Sequence, residues 1–174
     1  MSEPADPNLS NANVATLRAR AAIIDRIRCF FRTREVLEVH TPTITGAGIT
    51  DLHIESMRLT DGRYLRTSPE YAHKRLLSAG VGDIYELGPV YRAGENGRFH
   101  RDEFLLLEWY RTGWSWRALA EEVLELIANV ASGRKWTVEF TNWRSLLARE
   151  TGIEFEAATE RELRAAAPGA PDEL

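Results

Sequence analysis

The chain has a single cysteine, Cys29, so it cannot close a disulfide on itself. No Cys/His spacing suits zinc, which removes zinc-stapled and zinc-catalysed domains from consideration. Lysine is nearly missing: Lys74 and Lys135 stand among 22 basic residues, and the rest are arginine. A planar guanidinium suits two-pronged phosphate contacts, although a coding bias would leave the same skew. An excess of positive charge is missing too. The net charge of -4 argues against a wide basic surface for gripping nucleic acid. No apolar run approaches ~18 residues, and the N-terminus lacks a charged-then-apolar signal. The expectation is a cytoplasmic protein with no membrane association.

What remains is ordinary globular material: 174 residues, 44% hydrophobic and 28% charged, enough for one domain with a real core. Residues 1–11 are rich in Ser, Pro, Asp and Asn and are expected to be mobile, leaving residues 12–174 as the folded part. Leu17, Ala21, Ile24, Ile27 and Phe31 recur at spacings of three and four and predict an amphipathic helix docked on a sheet. Cys29 reads there as a small buried hydrophobe. Glu35 to His40 reads as a short strand with Val36 and Leu37 buried, stopped at Thr41-Pro42.

Thr43 to Asp51 is a Gly/Thr loop with Gly46 and Gly48 as possible hinges. His53 to Leu59 and Arg63 to Thr67 predict a hairpin around Asp61-Gly62, with His53 packed or on the surface rather than catalytic. Thr67-Ser68-Pro69-Glu70 opens a helix that buries Tyr71, Leu76 and Leu77 and stops at Gly80. Trp114 to Ala131 is a further helix whose Leu119, Val123, Leu126, Ile127 and Val130 form a core stripe. Thr137 to Phe140 predicts a strand, Asn142 to Arg149 and Thr159 to Ala166 two short helices, and Pro168, Gly169 and Pro171 a loose end.

The most informative stretch runs from Val90 to Arg111. From Glu103 onward the residues alternate. Phe104, Leu106, Glu108 and Tyr110 share one face, and Leu105, Leu107, Trp109 and Arg111 share the other. A ring, a carboxylate and a phenol in a row suit a pocket floor for a flat base and a cationic amine. Gly94, Asn96 and Gly97 supply a turn, around which Arg92, Arg98, His100 and Arg101 cluster in a way that suits polyphosphate. Each residue alone reads better as part of a solvated face or a surface ion pair.

In order, however, Tyr91-Arg92, Arg98-Phe99-His100, Glu103-Phe104 and Leu107-Glu108-Trp109-Tyr110 resemble motif 2 of the class II aminoacyl-tRNA synthetases. The helix and strand ending at Pro42 resemble motif 1, the dimer element of that class. Thr67-Ser68-Pro69-Glu70-Tyr71 resembles its substrate-contacting segment. The ending Leu107 to Arg111 looks like the lysyl-tRNA-synthetase-like ligases that modify elongation factor P.

The resemblance implies an α+β fold, an antiparallel sheet flanked by helices, truncated before motif 3. It implies an enzyme that uses ATP with Mg to adenylate lysine or β-lysine and passes it to elongation factor P, as a homodimer without tRNA. Arg92 would be catalytic at the α-phosphate. Arg92, Gly94, Glu95, Arg98, His100, Arg101 and Phe104 would hold ATP, and Ser68, Pro69, Glu70, Glu108 and Tyr110 the substrate; no metal ligand is assigned. Two positions depart from the pattern: Gly94 stands where the family has Glu, with Glu95 one place late, and Arg101-Asp102 replaces Asn-Pro. The alternatives are a catalytic piece of lysyl-tRNA synthetase and a non-catalytic relative acting as a binding or dimerisation module. The short stretch before motif 1 favours the factor-modifying ligase over the first of these, and a chain without motif 3 is not expected to form adenylate alone.

Overall fold

The computed structural model describes residues 13–95, 97–98, 100–131, 133 and 136–166. The expectations placed on residues 1–11, Asn96, Phe99 and the Pro168 to Pro171 stretch lie outside them. The chain divides into two units, Met1–Gly133 and Arg134–Leu174.

In the first unit, helix α1 (Val14–Arg32) starts where the Asn13 side chain accepts from the Thr16 amide at 2.9 Å, satisfying one of the free N–H groups of the first turn. Glu35 ends the turn after it with φ 56°, a left-handed conformation usually left to glycine. Two bonds compensate. The Glu35 amide donates to Arg32 O and the Val36 amide to Phe31 O, both at 3.1 Å, while Val36 packs with Phe31 in the core.

Strand β1 (Leu37–Glu38) then runs parallel to β4 (Ile84–Tyr91), which pairs antiparallel with β5 (Glu103–Tyr110). A second small sheet pairs β2 (Ile44–Thr45) with β3 (Tyr64–Leu65). Helix α2 (Glu70–Ser78) precedes β4, and α3 (Trp116–Val130) follows β5. The α+β class with an antiparallel-rich sheet holds, and the parallel β1 edge is an addition to it.

One face of β4–β5 is closed by aromatic packing. Phe31 stacks on Tyr85 at 4.5 Å and meets Trp109 at 5.5 Å, with Phe30, Val36 and Leu126 completing the cluster. Arg111 and Trp109 both donate to Glu122 on α3, and Arg111 also pairs with Asp83 at 3.0 Å. A buried carboxylate is thereby neutralised between helix and sheet.

Several expectations fail on orientation. Cys29 is exposed, because the α1 face that meets the core is set by Phe30 and Phe31. Leu37 is 52% exposed and only Val36 is buried, since β1 alternates at the sheet edge. On α2, Tyr71 is half exposed and the buried residue is His73. Gly48 is a close approach rather than a hinge: a Cβ there would stand 3.0 Å from Ser56 Oγ. The hairpin expected after it does form around Asp61-Gly62: Arg58 bridges Tyr64, the Leu59 amide donates to Arg63 O at 2.7 Å and the Leu65 amide to Met57 O at 2.9 Å, while Tyr64 and Leu65 also pair with β2.

The second unit contains α4 (Trp143–Thr151) and α5 (Glu160–Ala166). Asn142 caps α4 through the Ser145 amide at 2.9 Å, and Gly152 ends it at φ 72°. Trp143 packs edge-on against Phe155 at 4.4 Å. Thr137 to Phe140 does not form the expected strand; no neighbouring backbone among the described residues pairs with it.

Candidate active site

The open face of β4–β5 sets two carboxylates against each other, for Glu86 and Glu108 are direct cross-strand partners. Like charges in such positions repel unless each is separately satisfied. Glu86 is 1% exposed, and its Oε1 lies 2.6 Å from Arg66 Nη1. Its Oε2 accepts from Thr41 Oγ1 at 2.7 Å and the Thr41 amide at 3.2 Å, and lies 3.0 Å from His73 Nε2. Burial alone pushes the Glu86 carboxyl up, but the Thr41 and Arg66 hydrogen bonds, the Arg66 charge and the His73 contact outweigh it and hold it below the ordinary carboxylate value. Arg66 is fixed in turn by Pro89 O and Thr41 O, both at 3.1 Å. Gly88 makes room for this pair: a Cβ would stand 2.6 Å from Arg66 Nη2 and 3.1 Å from Glu86 Oε1.

Glu108 is satisfied differently. Ser68 Oγ donates to its Oε2 at 2.6 Å and Tyr110 OH to its Oε1 at 3.0 Å. Both donors are neutral. Burial first, then the Glu108 charge and hydrogen bond, push the Tyr110 phenol far above its usual value, so it remains a donor. Ser68 Oγ also accepts from the Glu70 amide at 3.1 Å, tying the start of α2 to β5. Ser68, Pro69 and Glu70, with Arg66, line a cavity of about 550 Å³ that extends over Thr41 to Ile49 and Ser56. Glu70 itself is paired with Lys74 at 2.5 Å, an exposed i,i+4 contact.

At the other end of the hairpin, Arg92 donates from Nε to Thr67 O at 3.3 Å and lies 5.1 Å over the Phe104 ring. Its Nη1 is 3.6 Å from Glu95 Oε1, so the late Glu reaches the arginine from its displaced position. Gly94 takes φ 78°, a left-handed turn that suits glycine where the family pattern has Glu. Gly97 and His100 exchange weak backbone bonds at 3.4 Å, and Arg101 Nη1 folds back onto their carbonyls at 3.3 Å. Arg98, His100 and Arg101 are exposed. Of the residues expected around the substrate, Ser68 and Tyr110 meet at Glu108 while the Glu70 carboxylate turns to Lys74; those expected around ATP divide between a strand end (Arg92, Phe104) and an exposed tip.

A profile of the class II tRNA synthetases (D, K and N) matches residues 8–165. The chain belongs to that family. Among curated relatives, the Elongation factor P-(R)-beta-lysine ligase of Vibrio cholerae serotype O1 is 39% identical over 143 residues, 75% of this chain and 44% of the relative. The protein of that name from Pseudoalteromonas translucida is 43% identical over 141 residues, covering 74% and 44%. That of Yersinia pestis is 39% identical over 163 residues, covering 88% and 50%. The chain therefore spans about half the length of the curated relatives it matches. Among solved structures, a putative aspartyl-tRNA synthetase from Leishmania major superposes with a TM-score of 0.55 at 22% identity, covering 65% of this chain and 22% of that one, which supports the class II synthetase fold alone.

Sequence reasoning about this synthetase-like site missed Thr41, Arg66, His73 and Glu86. The one local signal was Glu86 itself, a charge inside the otherwise apolar strand Ile84-Tyr85-Glu86-Leu87. A charge in such a place demands a partner.

Proposed function

We propose that the full-length protein is an ATP-dependent ligase that activates lysine or β-lysine as an adenylate and transfers it to a lysine of elongation factor P. The observation that carries this reading is the asymmetry of the two carboxylates. Glu86 already has its cation in Arg66, whereas Glu108 has only the neutral donors Ser68 and Tyr110 and is 20% exposed. A half-buried carboxylate with its geometry fixed and its charge unmatched is a seat for an ammonium group. The names and 39–43% identity of the curated relatives support the substrate class.

The substrate carboxylate attacks the α-phosphorus of ATP and pyrophosphate leaves. The acceptor amine then attacks the activated carbonyl and AMP leaves. Little covalent work falls to the protein, so positioning and charge neutralisation carry the rate. Arg92 would turn from Glu95 to the α-phosphate, Phe104 would stack on adenine, and Arg98, His100 and Arg101 would meet the outer phosphates, with Gly94 and Glu95 shaping the loop. Ser68, Pro69, Glu70, Glu108 and Tyr110 would hold the substrate amines. Magnesium would accompany the nucleotide phosphates, and no step is routed through a protein-bound ion. Val14, Leu17 and Ile23 on α1 are exposed apolar residues that suit a homodimer face. No helix among the described residues is long and apolar enough to cross a membrane. The reading places the enzyme in the cytoplasm and gives tRNA no part.

The test is lysine- or β-lysine-dependent exchange of labelled pyrophosphate into ATP by the full-length protein. Glu108→Gln should raise KM for the amino acid about tenfold to a hundredfold, the worth of ~1.5–3 kcal/mol for a charge-assisted contact, while KM for ATP is unchanged. Absence of exchange with either amino acid, or an unaltered KM in the variant, defeats the proposal.

A further inference from the structure

Arg66, Thr67 and Ser68 form a strap between β3 and α2, and the proposed reaction draws on contacts of the last two. Thr67 O accepts from Arg92 Nε at 3.3 Å, and Ser68 Oγ donates to Glu108 Oε2 at 2.6 Å. The arginine assigned to the α-phosphate and the carboxylate assigned to the amine are thus tied to neighbouring residues on one short piece of chain. Arg66 touches neither of them.

Its own contacts run along β4. Arg66 O accepts from the Tyr91 amide at 2.9 Å, Nε donates to Pro89 O at 3.1 Å, and Nη1 lies 2.6 Å from Glu86 Oε1. The chain after β1 adds more: the Arg66 amide donates to Thr43 O at 2.9 Å, and Nη1 to Thr41 O at 3.1 Å and Thr41 Oγ1 at 2.8 Å. Arg66 and Thr67 are both buried, which shields these bonds from water. A counter-ion for Glu86 would need only one of these contacts. A planar guanidinium with donors in a fixed fork makes them together, and so fixes where the strap lies.

That location bears on the chemistry. The substrate carboxylate and the α-phosphorus must approach to about 3–3.5 Å, and a misplacement of about 1 Å can cost on the order of a hundredfold in rate. We infer that Arg66 is a positioning residue for adenylate formation: it holds the strap in register with β4, and through Thr67 O and Ser68 Oγ it sets the spacing between Arg92 and Glu108. The inference rests on the reading of Arg92 and Glu108 as the phosphate and amine contacts.

The test is pyrophosphate exchange by the full-length protein with L-lysine and with (R)-β-lysine, with rates expressed per ATP-binding site so that a loss of folded protein does not register. Arg66→Lys keeps a positive charge for Glu86 but cannot reach Pro89 O and Thr41 O at the same time. Its kcat should fall about tenfold to a hundredfold, and by more than either KM rises. Gly88→Ala leaves every partner in place and sets a Cβ 2.6 Å from Arg66 Nη2, so it should lower kcat in the same way and carries the test if Arg66→Lys does not fold. A native kcat per site in the folded variant, or a loss confined to KM, overturns the inference. Arg66 is then the counter-ion of Glu86 and nothing more, and the proposed reaction stands. Absence of exchange in the native protein removes the reaction itself, and with it the positioning role.

Discussion

The two faces of the β4–β5 hairpin reach burial by opposite means. On the helix-covered face Phe31, Tyr85 and Trp109 close over one another, and burial of area is non-directional, so stability is shared among many contacts. On the other face Glu86, Arg66, Thr41 and His73 form a set in which each polar atom depends on a named partner. Removing one member strands the rest. The first face makes the fold, and the second fixes a geometry at some cost in stability.

The largest expected effect breaks that second face. Arg66→Ala leaves Glu86 buried without its cation and should cost about 3–5 kcal/mol, read as a fall in the denaturant midpoint. Phe31→Ala on the aromatic face should cost a similar ~3–5 kcal/mol by cavity formation. Acid separates the two faces. The folded-state Glu86 carboxyl lies below its ordinary 4.5, so its contribution is full above that pH and is lost as the pH falls through the folded value. Stability curves between pH 6 and pH 3 should therefore retain that acid loss in Phe31→Ala and show it diminished in Arg66→Ala. Equal acid limbs would mean that Arg66 does not hold Glu86 down.

A smaller effect sharpens the comparison at a single methyl group. Gly88→Ala places a Cβ against Arg66 and Glu86 and should cost about 1–3 kcal/mol, with amino-acid binding weakened through the displaced pair. A neutral outcome in thermal melts would show that the ionic face can yield by the better part of an ångström needed to clear a 2.6 Å approach. Smallest, and opposite in sign, is Glu35→Gly at the end of α1. Relief of the left-handed backbone, worth ~1–2 kcal/mol, is partly offset by the ~0.5–1 kcal/mol entropic cost of glycine. A net gain of about 0–1.5 kcal/mol should appear as a slightly raised melting temperature.

The aromatic face was legible in the sequence, and of the ionic face only Glu108 and Tyr110 were. Period-3.6 and period-2 patterns are local, so α1, α3 and the alternation of Phe104 to Arg111 can be read directly, and that alternation puts Glu108 beside Tyr110. Thr41, Arg66, His73 and Glu86 come from separate segments, and nothing near any of them in sequence announces the others. Orientation at element ends failed for the same reason: Leu37 and Tyr71 are apolar enough to be buried, but the sheet edge and the α2 axis turn them outward.

The parallel pairing of β1 with β4 has a consequence for the order in which the chain assembles. The β4–β5 hairpin closes across one short loop between Tyr91 and Glu103, whereas Thr41 and Glu86 are 45 residues apart. Loop closure favours the near contact, so the hairpin forms before β1 can find its edge. Until β1 arrives and brings Thr41, Glu86 lacks two of its donors. On that order the forming sheet holds a carboxylate still short of its Thr41 donors, and the ionic cluster completes after the hairpin rather than before it.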